Sequence, residues 1–571
     1  MRACPVRFIA AFSLLLVAGC HPEKGVDPLD GRLEVGQSLS VTGPQTFQLE
    51  PGASNGDYIA ILVNNGLMAG ASESFTIRGD TLVAPSAYLG GPTVAALTRL
   101  PLTAQGTPDA PVLDGMFEAR LRASERAVLT PKFADARAWY AARSAARTVS
   151  GSSTAPFQPA RSNSVIPSNV QVGDTVVVNV NGTDNCTNPI NHKARVVAIG
   201  THAIILDDVQ NPRPGFTDAD YVRYAARFDT LVYPMDVGVF GEPTDIDGNG
   251  HIVLIFTRAV NALTPAGSGT YVGGFTFSRD LFPLTATARA QACATSNVGE
   301  FFYLLAPDPL GTINGNRRST GFVDSNTTAV IAHEFQHLIN ASRRLYITNA
   351  SAFEAKWLDE GLAHTAEELL FYRESALTSR SNLTGPVVQS SAAVKAAYTL
   401  DMSGNASRYR SYLLQSAKSS PYAANDSLST RGGAWSLLRY LADRKATADG
   451  DIFMRLVNSA DTGMANMQGV FGSDLATQVR DWAVSNAVDD MVSTDVTLTQ
   501  PSWNWHSVYP ATGIPYPLSI TTMQNGVSYT GSVTAGGAAY YKLGVAANAS
   551  ATFSLAQANA GNLQLVIVRT R

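Results

Sequence analysis

The stretch Ala329-Val330-Ile331-Ala332-His333-Glu334-Phe335-Gln336-His337-Leu338-Ile339-Asn340 constrains this chain more than any other. Asn326, Thr327 and Thr328 offer caps, and no Pro or Gly interrupts the run up to Leu345, so the pattern predicts a helix. At about 3.6 residues per turn, His333 and His337 stand one above the other on a single face. Two neutral imidazoles so placed can close on one Zn²⁺ at about 2.0–2.1 Å each. Glu334 is rotated by about 100° from the first histidine. That places it to take a proton from a metal-activated water rather than to ligate. With 8 His in 571 residues the chance expectation for this spacing is about 0.003. The plain alternative is a helix with two histidines satisfied by partners near the core.

A catalytic zinc site usually has three protein ligands and an open position. Asn340 and Arg343 stand where an HExxHxxGxxH pattern needs Gly and His, so the third ligand must come from elsewhere. Ser351-Ala352-Phe353-Glu354 reads as a capping box opening a second helix. That helix continues Lys356-Trp357-Leu358-Asp359-Glu360-Gly361-Leu362-Ala363-His364-Thr365-Ala366-Glu367-Glu368-Leu369-Leu370. Trp357, Leu358, Leu362, Ala366, Leu369 and Leu370 are expected to pack inward. Glu360 lies among them, and a buried carboxylate without a partner is strongly unfavourable. A metal supplies the partner, so Glu360 is the candidate third ligand. The plain alternative is a solvent-facing Glu.

HEFQHLIN followed by WLDEGLAHTAEE resembles the hyicolysin-type zinc metallopeptidases of the gluzincin group, which pair HExxH with a downstream Glu. Further segments share the resemblance: Thr244-Asp245-Ile246-Asp247-Gly248-Asn249-Gly250-His251-Ile252, Gly273-Gly274-Phe275, Ser296-Asn297-Val298-Gly299-Glu300 through Tyr303, Gly433-Ala434-Trp435 and, more loosely, Phe471-Gly472 through Asp481-Trp482. It covers about 168–495. It implies His333, His337 and Glu360 as zinc ligands, Glu334 as general base, and peptide or protein substrates. His364 shares the face of Glu360 where thermolysin-like relatives carry an Asp supporting a ligand histidine. Its role as support, proton carrier or core residue stays open. Glu367 and Glu368 read as solvated or supporting residues, and Tyr372, Tyr409, Tyr412 and His364 as candidates for stabilising the oxyanion. Substrate is expected along a sheet edge by strand addition.

The expected fold class is α+β: a gluzincin-like metallopeptidase domain, with a mixed sheet and active-site helices, flanked by small β-sandwich-like modules. Short alternating runs punctuated by turn signals at 30–105 and again after Pro501 carry the modules. The expected division is a signal peptide at 1–19, an N-terminal β module at 20–110, a helical segment and linker at 111–167, the peptidase domain at 168–500 and a C-terminal β module at 501–571. Whether 21–165 acts as a removable propeptide stays open.

Residues 1–20 carry Arg2 and Arg7, a short apolar run Phe8–Val17, and Val17-Ala18-Gly19-Cys20, which resembles a bacterial lipobox. Cys20 is therefore the expected lipidation site and the N-terminal lipid the membrane attachment of an exported protein at the outer membrane or cell surface, with plain secretion as the alternative. Cys186 and Cys293 then remain as an even pair in an oxidising compartment, a disulfide candidate. Only 15% of residues are charged, against roughly 25% in an average soluble domain. The net charge of −4 gives no polyanion-binding surface, so no nucleic-acid partner is expected. Asp245-x-Asp247-Gly248-Asn249-Gly250 resembles the start of a calcium loop, but Phe256 stands at the twelfth position where a bidentate Glu is required, so Ca²⁺ has weak support. His192, His202 and His506 read as structural or surface residues. The rival function class is a non-catalytic surface lipoprotein that binds polysaccharide or protein through its β modules.

Overall fold

A computed structural model describes residues 32–86, 112–113, 115–150, 164–183, 186–284, 292–557 and 561–571. The signal peptide and Cys20 lie outside these residues. No helix among the described residues is long and apolar enough to cross a membrane.

Four strands come first: β1 (Ser38–Thr42), β2 (Gln45–Leu49), β3 (Gly56–Asn64) and β4 (Ser72–Asp80). A two-residue strand β5 (Val112–Leu113) leads into helices α1 (Gly115–Leu129) and α2 (Phe133–Ser150). The central region supplies β6 (Thr175–Asn179), β7 (Asn191–Ile199), β8 (Ala203–Asp208), β9 (Ile252–Thr257), β10 (Thr270–Tyr271), β11 (Gly274–Thr276) and β12 (Phe301–Leu305). A mostly helical region follows, including α3 (Thr320–Tyr346), α4 (Lys356–Ser375), α5 (Ser403–Leu413) and α6 (Leu428–Lys445). The chain ends with β13 (Ile520–Thr522), β14 (Ser528–Thr534), β15 (Ala538–Val545), β16 (Ala551–Gln557) and β17 (Leu563–Arg569).

The central sheet has the order β11-β12-β9-β8-β7-β6 and is mixed: β12, β9 and β8 run parallel, and the remaining pairs are antiparallel. β8, β9 and β12 are buried along their whole length, which matches their continuous apolar runs. Helix α3 lies on this sheet next to its edge strand, with Phe335 packed against Phe228 and Phe302 at ring distances of 5.2 and 5.9 Å. Cys186 and Cys293 are joined by a disulfide across a separation of 107 residues.

The two expected β modules are one. Strands from both ends interleave into a sandwich of a five-stranded sheet, β1-β17-β3-β15-β13, and a four-stranded sheet, β14-β4-β16-β2. β3 lies between β15 and β17 and pairs antiparallel with both, Ile61 facing Tyr540 and Val566. Its alternation explains the arrangement. Tyr58, Ala60 and Leu62 point into the sandwich core, and Ile59, Ile61 and Val63 into the core of the helical region. A strand apolar on both faces needs a cover on each, and no single terminal segment supplies two. The start of the supposed C-terminal module also belongs elsewhere, since Trp503 and Trp505 pack in the helical core. The helical segment expected within 111–167 is built into the molecule: Phe117, Leu121, Leu129 and Phe133 join the central core.

Candidate metal centre

Helix α3 starts earlier than its sequence suggests. Ser319 is the N-cap, accepting from the Phe322 amide at 3.1 Å, while Thr327 and Thr328 are buried inside the helix. Arg343 and Arg344 occupy its last turn, where cations complement the dipole. α4 has no capping box: its N-cap is Ala355. Glu354 is recruited instead by buried Arg344 at 3.1 Å and accepts from the amides of Ala355 and Gly463 at 2.7 and 2.6 Å. Tertiary partners outbid the local cap, and that ion pair fixes the turn between α3 and α4.

The six apolar residues expected inward on α4 are buried. Its other side brings Glu360 to the two histidines. His333 Nε2 and His337 Nε2 are 3.2 Å apart, and Glu360 lies 3.6 Å from the first and 3.9 Å from the second. Ligands at about 2.0–2.1 Å from a tetrahedral ion stand about 3.4 Å apart, so the three fit one small cation. Each ring is aimed by a carboxylate behind it. His333 Nδ1 meets Glu367 Oε1 at 2.8 Å, and His337 Nδ1 meets Asp359 Oδ2 at 2.9 Å. With Nδ1 protonated toward these carboxylates, the Nε2 lone pairs face the common point. Burial pushes the His333 pKa down, keeping its imidazole neutral. Burial also works to raise Asp359, but His337 beside it holds that carboxyl at about 2. Glu367 is likewise held well below the usual carboxylate range, against burial, by His364 and Arg408.

Both Glu360 oxygens are buried without a hydrogen bond of good geometry among the described residues; the near neighbour is Arg431 Nη1 at 2.7 Å. Burial raises the Glu360 pKa well above its ordinary value, against the pull of Arg431. A buried carboxylate beside two converging imidazole lone pairs is a donor set that a divalent metal satisfies. His364 shares Glu367 through Nδ1 at 3.1 Å, and its buried Nε2, 4.0 Å from Glu360 Oε2, has no hydrogen-bond partner among the described residues.

Glu334 lines one cavity with His333 and reaches the sheet edge, where Oε2 accepts from the Thr276 amide at 2.8 Å. Arg122 Nη2 of α1 lies 3.6 Å from the same oxygen. Burial, then the nearby Glu118 carboxylate, raises the Glu334 pKa well above the ordinary carboxylate range. Close helix crossing makes the remaining contacts. A Cβ on Gly361 would meet Leu438 Cδ1 at 2.8 Å, and one on Gly432 would meet the Arg408 carbonyl carbon at 2.2 Å. These glycines let α4, α5 and α6 approach until Arg431 reaches Glu360.

The other sequence candidates resolve by their partners. The Tyr372, Tyr409 and Tyr412 hydroxyls are engaged with Glu368, Asn486 and the Gly536 carbonyl, at 3.2, 2.6 and 3.0 Å. Glu367 and Glu368 are buried rather than solvated, and Glu368 accepts from the indoles of Trp435 and Trp503 at 3.1 and 2.7 Å. His192 bonds Asp208, His202 stacks on Tyr233, and His506 is buried against Tyr516. Asp245 and Asp247 accept from turn amides of Gly248 and Asn249, closing the loop as Asx turns, and Glu300 lies within reach of both. Sequence reasoning missed Asp359, Arg431, Glu118 and Arg122 as members of the centre. Asp359 had a signal, its place beside Glu360; the others come from remote elements.

The mixed α+β fold with a buried His-His-Glu group defines a candidate metallohydrolase centre. Over 154 residues, 27% of this chain, the sequence is 28% identical to the neutral metalloprotease ShpI of Staphylococcus hyicus. The aligned part spans 31% of that relative. No known family profile matches the chain.

Proposed function

We propose that this chain is an extracytoplasmic zinc-dependent endopeptidase of the hyicolysin-like type. The observation that carries this reading is the convergence of His333 Nε2, His337 Nε2 and Glu360, each histidine backed by its own carboxylate. The distant likeness to a neutral metalloprotease supports it. When bound, zinc supplies Lewis-acid polarisation of the scissile carbonyl and brings the pKa of the attacking water down toward 7. Glu334, adjacent to this group, takes the water proton and returns it to the leaving amine. His364, whose buried Nε2 has no hydrogen-bond partner among the described residues, is the group available to balance charge on the carbonyl oxygen. Export and lipid attachment at Cys20 belong to the same proposal, supported by the charged, apolar and small-residue order of residues 1–20.

The test is Glu334→Gln in the full chain, with zinc content and cleavage of a protein substrate measured together. Zinc retained with hydrolysis lost supports the peptidase. Hydrolysis unaffected by the substitution, or a folded wild type that neither binds zinc nor cleaves, leaves the binding-lipoprotein reading in its place.

A further inference from the structure

The proposed catalytic groups are closed off from solvent. His333 and Glu334 are 3% exposed, His337 1% and Glu360 not at all. The cavity beside His333 and Glu334 holds about 20 Å³, and so does the one beside His337. Each has room for about one water, so neither admits a peptide. Opposite α3, which lines both, stands α1, through Phe117 and Glu118 on the first and Arg122, Glu125 and Arg126 on the second.

This helix also takes the partners that an extended substrate would need. β11 is the edge strand beside α3, and the Thr276 main-chain groups face away from β12. Its amide is taken by Glu334, and its carbonyl accepts from Arg122 Nη1 at 3.1 Å. The next outward amide, of Ser278, is taken by Glu125 at 2.6 Å. Phe117 packs on Phe275 of the same edge at 5.4 Å, and just upstream β5 pairs in parallel with β10. Strand addition along β11 is therefore pre-empted at the Thr276 carbonyl and the Ser278 amide by Arg122 and Glu125 of α1. Arg122 closes the arrangement, bridging Glu125 at 2.9 Å, Glu118 at 3.4 Å and Glu334 at 3.6 Å.

Glu118 enters the cavity that His333, Glu334 and Arg431 line, where Arg122 meets its buried carboxylate at 3.4 Å. We propose that α1 is an inhibitory segment lying in the substrate's place, with Glu118 and Arg122 in the cleft, and that hydrolysis requires its displacement. This rests on the peptidase reading above. It concerns α1 and not the whole of 21–165, because β3 is built into the centre of the sandwich.

Glu118→Gln, Arg122→Gln and the pair, made in the full chain, test it with three readouts: zinc content, cleavage of a quenched peptide, and binding of a peptide hydroxamate by fluorescence anisotropy. With zinc near one per chain throughout, the substitutions are expected to raise both peptide cleavage and hydroxamate affinity, by about tenfold or more in the pair, since each breaks a buried ion pair that holds the closed state. Loss of activity, as a wall or a catalytic arginine would give, overturns the proposal, as does unchanged hydroxamate affinity in zinc-loaded variants. A second measurement on the wild type covers variants that fail to fold. Saturating hydroxamate is expected to speed amide hydrogen exchange within 115–129, and protection there that is unchanged or increased overturns the proposal. Zinc absent from every sample removes the peptidase reading itself, and the inhibitory one with it.

Discussion

Glu367 shows how much of this centre depends on single side chains behind the ligands. One carboxylate serves both His333 and His364 and is itself met by Arg408 at 3.5 Å. Glu367→Ala frees the His333 ring to turn, and zinc affinity is expected to fall about 10–100-fold; competition with a calibrated chelator reads this directly. Asp359→Ala is expected to act alike through His337. Glu334→Gln should instead leave affinity near wild type and cut kcat by about 10²–10⁴-fold. The two kinds of variant therefore separate in a metal-binding assay though both impair cleavage. His333, Glu334 and His337 were legible in the sequence because helical periodicity relates them over little more than one turn, and Glu360 because a carboxylate amid apolar residues of a second helix calls for a partner. Arg431 and Arg122 were not, since their approach depends on helix crossings that no local pattern encodes.

At the scale of elements, α4 carries Asp359, Glu360, His364 and Glu367, so whatever seats it sets the metal geometry. One neighbour is the short helical segment Tyr398–Met402, where Asp401 is buried with Oδ2 lacking a hydrogen bond among the described residues. Burial, then the nearby Glu374 carboxylate, raises the Asp401 pKa to about 8. Its folded pKa exceeds its unfolded value, so the fold favours the protonated form. The resulting stability is present below about pH 4 and lost as pH rises toward 8, on the order of a few kcal/mol. Asp401→Asn is therefore expected to melt above wild type at pH 8 and alongside it at pH 4; equal Tm differences at both pH values would contradict this. The alternating runs expected at 30–105 and after Pro501 do form strands, β15 at Ala538–Val545 among them. The predicted cap of α4 failed because Glu354 found Arg344, Gly463 and Asn466.

For the whole molecule, the joined ends matter most. The register of β3 with β15 and β17 links residues at opposite ends of the chain, which alternation within either segment cannot reveal; two separate modules and one shared sandwich read alike in sequence. Deleting 501–571 removes three strands from one sheet and two from the other, leaving β3 without either neighbour. It also strips much of the packing from Tyr58, Ala60 and Leu62, which share the sandwich core with Val533, Leu543 and Phe553. The truncated chain is expected to aggregate or lose its cooperative melt, not to retain a trimmed active enzyme. The disulfide closes a loop of 107 residues, and replacing both cysteines by serine is expected to cost about 2–5 kcal/mol, read as a lower denaturation midpoint. The most direct test of the account is metal analysis of the purified chain alongside peptide hydrolysis, before and after chelation. The account predicts about one zinc per chain, with hydrolysis lost on chelation and restored by zinc, and neither zinc nor activity after joint replacement of His333 and His337 by alanine. A folded chain that binds no zinc, or that hydrolyses peptides equally well after chelation, contradicts it.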